Sequence, residues 1–203
     1  MQELIRKIIN TLFGRPSSSP STPTESKPPA QPKPITPPVT QSVIENVLPS
    51  TTKRHPPIRE DKFRPTQRFL NPDPLYKITG HHPGTDYGTQ GEDSVPLYFC
   101  ADGEVIENGL HNAFGNYFFY YIPEVDHTFV YFHLRDTAPQ KGTYKAGEQC
   151  GITGKTGLSQ GIHLHLECMK GRKTSADRSR LYISKDAIAE AAEDADTFIR
   201  SRL

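Results

Sequence analysis

Three short stretches of the chain combine histidine with a carboxylate or with strand-forming residues. These are the side chains that bind metal ions and move protons near neutral pH. The first stretch is Gly80-His81-His82-Pro83-Gly84-Thr85-Asp86. Pro83 and Gly84 forbid a regular helix there, so His82 and Asp86 sit on a turn that can aim both side chains at one point. The second, Tyr131-Phe132-His133-Leu134, ends a run of strand formers. Period-two alternation sets Val130, Phe132 and Leu134 on the core face and leaves Phe129, Tyr131 and His133 on the other. The third is Gly161-Ile162-His163-Leu164-His165-Leu166-Glu167. Here Ile162, Leu164 and Leu166 point inward, while His163, His165 and Glu167 share the opposite face. Two histidines at i and i+2 on a strand stand side by side, which suits metal binding combined with acid–base work. Imidazoles along one face of an otherwise apolar strand are costly unless something satisfies their nitrogens. Of the eight histidines, His55, His111 and His127 read as surface or satisfied core residues. His81 adjoins His82 and stays open.

The elements that must position these residues are β. Val95 to Cys100 and Glu104 to Ile106 flank Asp102-Gly103, a hairpin signal. Asn116–Ile122 and Thr128–Leu134 are aromatic and β-branched runs of strand length. Gly142, Gly147, Gly151, Gly154, Gly157 and Gly161 then punctuate short strands with turns. The expected fold class is mainly β, a small antiparallel sheet or sandwich over residues 63–175. Behind it, residues 176–203 form a helical tail, with one helix expected from Ser184 to Leu203. Ser184 caps it, and Ile188, Ala191, Ala192, Ala195 and Ile199 make its small-residue stripe.

The chain has 203 residues and a net charge of +1. That balance argues against nucleic acid as a partner, and no apolar run reaches the roughly 18–20 residues of a membrane span. Thirteen of the 19 prolines precede Thr66, whereas all but one of the 15 glycines follow it. Two unlike segments are joined end to end. In residues 1–14, Leu4, Ile5, Ile8, Ile9, Leu12 and Phe13 draw one apolar stripe on a helix, which either packs on its own domain or anchors the chain to a partner or a membrane surface. Arg6 and Lys7 interrupt it, so it is not read as a cleaved secretory signal. Residues 15–62 are rich in Pro, Ser and Thr, with no aromatic side chain between Phe13 and Phe63. Such a stretch cannot offset its ordering entropy and reads as an extended tether. Cys100, Cys150 and Cys168 are too few and too irregular for a disulfide framework, and read as small buried apolar residues.

The pattern resembles the lysostaphin-type (LytM-like) zinc endopeptidases of peptidoglycan. That family combines a His-x-Gly-x-Asp turn, a distant strand histidine and a late His-x-His. This chain supplies His82-Pro-Gly84-Thr-Asp86, His133 and His163-Leu-His165 in that order. Thr66-Gln67-Arg68-Phe69, Asn71-Pro72 and Tyr76 are similar to the opening run of phage-type members, and the glycine ladder before His163 fits as well. The resemblance spans about Pro65 to Cys168. It implies zinc (Zn2+) held by His82, Asp86 and His165, with His133 and His163 handling protons and stabilising the transition state. The usual helical zinc-protease motif, H-E-x-x-H, is absent. The implied substrate is a peptidoglycan peptide. The N-terminal stripe, the tether and the phage-like opening point to a virion-borne lysin at a tail or injection apparatus, located in the virion or released to the periplasm and cell wall. The tail component would be the protein partner of the helix and tether. The alternative is a catalytically silent structural or activator module with the same fold. All five positions are filled, which favours activity.

Overall fold

The computed structural model describes residues 54–203. The anchoring helix expected at residues 1–14 and most of the expected tether lie outside the described residues. The remainder is mainly β, as the aromatic and β-branched runs require. The strands are β1 (Thr85–Gly88), β2 (Pro96–Tyr98), β3 (Gly103–His111), β4 (Gly115–Ile122), β5 (His127–Leu134), β6 (Gly142–Tyr144), β7 (Gln149–Ile152), β8 (His163–Lys170) and β9 (Ala192–Glu193). Three short helices follow or flank β9: α1 (Ser175–Leu181), α2 (Lys185–Ala191) and α3 (Ala195–Arg202). The main sheet runs β1-β8-β5-β4-β3-β6 with β9 added to β8, and β2 pairs β7 in a separate ribbon. All the pairings are antiparallel. No described helix is long and apolar enough to cross a membrane.

Both faces of the main sheet are covered. On one face Phe99, Phe118, Tyr120, Phe129, Tyr131 and Leu166 belong to the larger core, which α3 joins through Phe198 and Ile199. On the other face Phe119, Val130, Phe132 and Met169 pack with Tyr182 and Ile188 from the C-terminal segment. Each fully buried aromatic or large aliphatic side chain contributes about 1.5–3 kcal/mol by leaving water. Two of the buried phenols in the larger core are satisfied: Tyr120 Oη donates to the Ala101 carbonyl at 2.8 Å and Tyr131 Oη to that of Tyr98 at 3.1 Å.

Three expectations need correction. Residues 96–98 and 103–111 do not form a hairpin with each other, because β3 pairs with β4 and β6 instead. Gly103 is pressed against β4, where a Cβ would stand 2.5 Å from the Tyr121 carbonyl oxygen. The Asp102 carboxylate meanwhile accepts from the Ala146 N–H at 3.0 Å. The single helix from Ser184 is broken. Ser184 does cap α2 by accepting from the Ala187 N–H. Ala192 and Glu193 then extend to pair with β8, and Asp194 caps a new helix by accepting from the Thr197 N–H at 2.8 Å. The third correction concerns β5. Every residue of it is buried, and Phe129 and Tyr131 lie in the larger core rather than opposite it. The three cysteines are free and buried, as read.

The end of the tether is packed rather than free. The His55 N–H donates to the Cys100 carbonyl at 3.1 Å, and the Tyr98 N–H donates to that of Pro57 at 2.9 Å. Ile58 is fully buried and bridges Leu97. A fragment starting at Lys62 should therefore lose about 2–5 kcal/mol relative to one starting at Arg54, the usual cost of emptying an Ile site. Urea midpoints of the two fragments measure this, and equal midpoints would contradict it.

Candidate metal centre

The register of three neighbouring strands assembles the site. In β1 and β8, Asp86 is the direct partner of His165, and Gly88 that of His163. In β5 and β8, Phe132 is the partner of His165. His82 reaches the same place from the turn before β1, with Gly84 making the approach possible. A Cβ at Gly84 would stand 2.7 Å from the Leu166 carbonyl and 2.9 Å from His165 Nε2. Three donor atoms converge as a result. His82 Nε2 lies 3.0 Å from His165 Nδ1, His165 Nδ1 lies 2.8 Å from Asp86 Oδ1, and His82 Nε2 lies 3.1 Å from Asp86 Oδ1. Tetrahedral zinc with bonds of about 2.0–2.1 Å holds its ligand atoms about 3.3 Å apart, so a small outward shift admits the ion. Two imidazoles and one carboxylate leave a fourth position open, the mark of a catalytic rather than a structural zinc site. His82, Asp86 and His165 are the one such cluster found among the described residues.

His133 and His163 stand over the same point. Their ring centroids are 5.0 Å apart, and His133 lies 6.0 Å from His165. His163 Nε2 is 3.7 Å from Asp86 Oδ1. Uninterrupted alternation along β5 would send His133 into the larger core with Phe129 and Tyr131. Instead the β4–β5 register shifts between Asn116 and Phe118, and His133 adopts φ +62°. This bulge turns the imidazole to the metal face, a re-aiming that bulges commonly perform beside active sites. Glycines let the supporting loop close in: a Cβ on Gly115, at φ +67°, would meet Thr156 Oγ1 at 2.2 Å.

Each of the four imidazoles has its second nitrogen committed to an oxygen. Nδ1–H of His82 donates to the Arg68 carbonyl at 3.3 Å, that of His133 to Thr156 at 2.8 Å, and that of His163 to Gly161 at 2.9 Å. A carbonyl can only accept, so these bonds fix the proton on Nδ1 and leave Nε2 as a lone pair facing the site. His165 is reversed: its Nε2–H donates to Glu167 Oε1 at 3.1 Å and Nδ1 faces inward. Burial, helped by the nearby His165, pushes His133 down to about 4. Burial also lowers His163, against the pull of Asp86. Both are neutral at pH 7 and ready to accept a proton. Burial alone would raise the Asp86 carboxyl, but the hydrogen bond from protonated His165, with the adjoining His82, outweighs it and holds the group well below the usual carboxylate range. Glu167 shows the same contest, with burial outweighed by the Arg178 charge and the His165 hydrogen bond, and comes down to about 2. For His165, burial is outweighed by the bonds to Asp86 and Glu167, and its pKa rises to about 9.

All five sequence-predicted residues therefore meet on one face. The other histidines are spent elsewhere: His81 donates to the Thr79 carbonyl, His111 stacks on Phe114, His55 packs on Tyr98 and His127 on Phe198. Sequence reasoning put Glu167 on the right face without a role and missed Arg178 altogether. Tyr120 and Tyr131 are core, while Tyr117 and Tyr121 are tied to Glu107 and Asp126. A cavity of about 800 Å3 beside His133 is walled by Tyr76, Phe114, Phe132, Tyr182, Leu158 and Ile78.

Comparison with known proteins agrees with this geometry. Residues 80–177 match peptidase family M23. The chain is 31% identical over 149 residues to the peptidoglycan DD-endopeptidase ShyB of Vibrio cholerae serotype O1, covering 69% of this chain and 33% of that protein. It is 30% identical over 112 residues to ShyA of the same organism, covering 53% of this chain and 25% of that one. The chain thus spans about a third or less of these relatives' length. The catalytic domain of lysostaphin from Staphylococcus simulans superposes with a TM-score of 0.54 at 24% identity, covering 70% of this chain and 95% of that domain, and so shares the fold.

A proton on His165 Nδ1 competes with zinc for one lone pair, and ligands must be deprotonated to bind. With the metal-free pKa at about 9, zinc binding at pH 7–8 should release about one proton. Affinity should fall as pH falls. Titration calorimetry in buffers of different ionisation enthalpy counts that proton, and a count of zero would contradict the arrangement.

Proposed function

We propose that this chain, whose residues 80–177 belong to peptidase family M23, is a zinc-dependent endopeptidase that hydrolyses a peptide bond in the stems or cross-bridges of bacterial peptidoglycan. The carrying observation is that three converging metal donors and two neutral imidazoles face one point beside an apolar-walled cavity. The relatives ShyB and ShyA are peptidoglycan DD-endopeptidases, which makes a D,D-cross-link the first bond to test.

His82, Asp86 and His165 would hold the ion. Bound zinc polarises a carbonyl and lowers the pKa of water at its open position to about 7. The chain's own contribution is proton handling. His163 Nε2, one pleat from His165, accepts the proton of the attacking water as general base. His133 Nε2, arriving from β5 with its ring 5.0 Å from that of His163, takes over that proton, then hydrogen-bonds the developing oxyanion or passes the proton to the leaving amine. The carbonyl partners of both rings keep the accepting nitrogen on the correct side throughout. The apolar walls, Phe114 and Phe132 among them, hold the substrate backbone and keep bulk water from the reacting atoms.

We also propose that the protein is associated with a phage virion, at the tail or injection apparatus, through residues 1–62. The support is the apolar stripe from Leu4 to Phe13, the proline-rich stretch and the opening run Thr66–Phe69. Mass spectrometry of purified particles should then find the chain. Its recovery only in the free lysate would exclude this location.

The activity is tested by digesting purified sacculi with the zinc-loaded chain and analysing the released muropeptides by mass spectrometry. Cross-linked dimers should be converted to monomers. His133→Ala and His163→Ala should keep one zinc and the folded domain while turnover falls about 10²–10⁴-fold. A zinc-loaded parent that releases nothing would favour the silent-module reading.

A further inference from the structure

Three of the four imidazoles at the site spend their second nitrogen on a backbone carbonyl. His165 alone spends it on a carboxylate, that of Glu167. A carbonyl fixes the tautomer of each of the other three, and for His165 that task falls to a side chain that must itself be held in place. Glu167 is 0% exposed, and a buried carboxylate without a partner is very costly. Its partner is Arg178, whose Nε donates to Oε1 at 3.0 Å and to Oε2 at 2.8 Å while Nη2 donates to Oε1 at 2.5 Å. Arg178 belongs to α1, just past the end of the family match at residue 177. Its guanidinium lies over the rings of Phe114, Phe132 and Tyr182 at 4.9, 5.2 and 4.7 Å. Phe132 in turn stacks on His165, 5.3 Å between centroids and 7° from parallel. The Arg178–Glu167–His165 chain thus runs unbroken from a C-terminal helix to the nitrogen that faces His82 and Asp86.

We infer that Glu167 and Arg178 are positioning residues for zinc, with Arg178 holding the Glu167 carboxylate on His165 Nε2–H and thereby keeping the His165 Nδ1 lone pair aimed at the metal. The inference rests on His165 being a zinc ligand, as proposed above. Carboxylate partners of this kind orient a ligand imidazole and raise its basicity, and their loss costs about 10–100-fold in metal affinity. The docking of α1 then sets how tightly the domain holds its metal, although the helix supplies no ligand.

The test uses the full chain and measures zinc affinity by competition with a chromophoric chelator. Long-range nitrogen–proton NMR correlations report the His165 tautomer in the same samples. Glu167→Ala alone leaves Arg178 buried without a partner, so the decisive variant is the double substitution Glu167→Leu with Arg178→Met. It removes both charges together and should keep the parental circular dichroism spectrum. Its zinc affinity should fall about 10–100-fold, with His165 present as a mixture of tautomers. Glu167→Gln still offers an oxygen to Nε2–H and should stay within about threefold of the parent, with the Nε2–H tautomer retained. A double variant that binds zinc as tightly as the parent would overturn the inference, and so would a Glu167→Gln protein as weak as the double variant. A parent that binds no zinc at all would overturn the ligand assignment itself.

Discussion

The structure is organised around a repulsion that only a cation relieves. Two imidazole nitrogens and a carboxylate oxygen converge within 3.1 Å, on a face where His82 and His165 are almost completely buried. Leaving them so placed without a proton or a metal between them would be costly. The surrounding fold keeps these atoms from moving apart. Asp86 and His165 are direct cross-strand partners, so their separation is fixed by the pleat. A slip of one residue between β1 and β8 would bring Leu164 or Leu166 opposite Asp86, and would turn the whole hydrophobic set of β8 to the wrong face. The larger core, through Leu164 and Leu166, therefore enforces the register on which the metal site depends.

The two neutral imidazoles beside the metal donors are held by a different device. His163 follows the plain alternation of β8, whereas His133 needs a break in that of β5. A non-glycine residue at positive φ costs about 1–3 kcal/mol and persists only where its surroundings over-determine it. Here the His133 N–H donates to the Phe114 carbonyl at 2.8 Å, its Nδ1–H donates to Thr156, and Thr156 Oγ1 donates to the Leu134 carbonyl at 2.7 Å. The loop that offers Thr156 can lie this close only because Gly115 and Gly157 have no side chains. The glycines in this part of the sequence thus serve the orientation of one imidazole as well as the turning of the chain.

What was legible in the sequence follows from these two devices. All five site residues were readable because their types are rare and their spacing specific, and β8 was readable because its faces differ, Leu164 and Leu166 against His163 and His165. Alternation failed on β5, where both faces are buried and the pattern carries no side information. The expected 95–106 hairpin failed because a D-G pair fits any sharp reversal, and the true partners of β3 lie at residues 115–122 and 142–144. The C-terminal stripe kept helical spacing through Ala192, yet pairing with β8 overrode that local preference. Arg178 carried no signal at all, since an arginine in a polar helix ordinarily faces water. Only the folded chain shows the buried carboxylate that draws it inward.

The metal donors and much of the cleft wall are carried by different parts of this molecule. The metal donors and the two neutral imidazoles lie on or beside the paired strands β1, β5 and β8, within the residues matched to family M23. The cleft walls come in part from connections outside that span: Leu75, Tyr76 and Ile78 before it, Tyr182 and Ile188 after it. Leu75, Ile78 and Leu158 are 63%, 80% and 79% exposed, and they cluster around this cavity rather than scattering over the surface. Apolar side chains left in water around a concave site gain most when a ligand covers them. Loops on a rigid scaffold also vary more readily than the strands that carry them. The metal donors are accordingly placed by the sheet. The loops at 75–79 and 157–160 and the C-terminal segment around Tyr182 wall the cavity beside them.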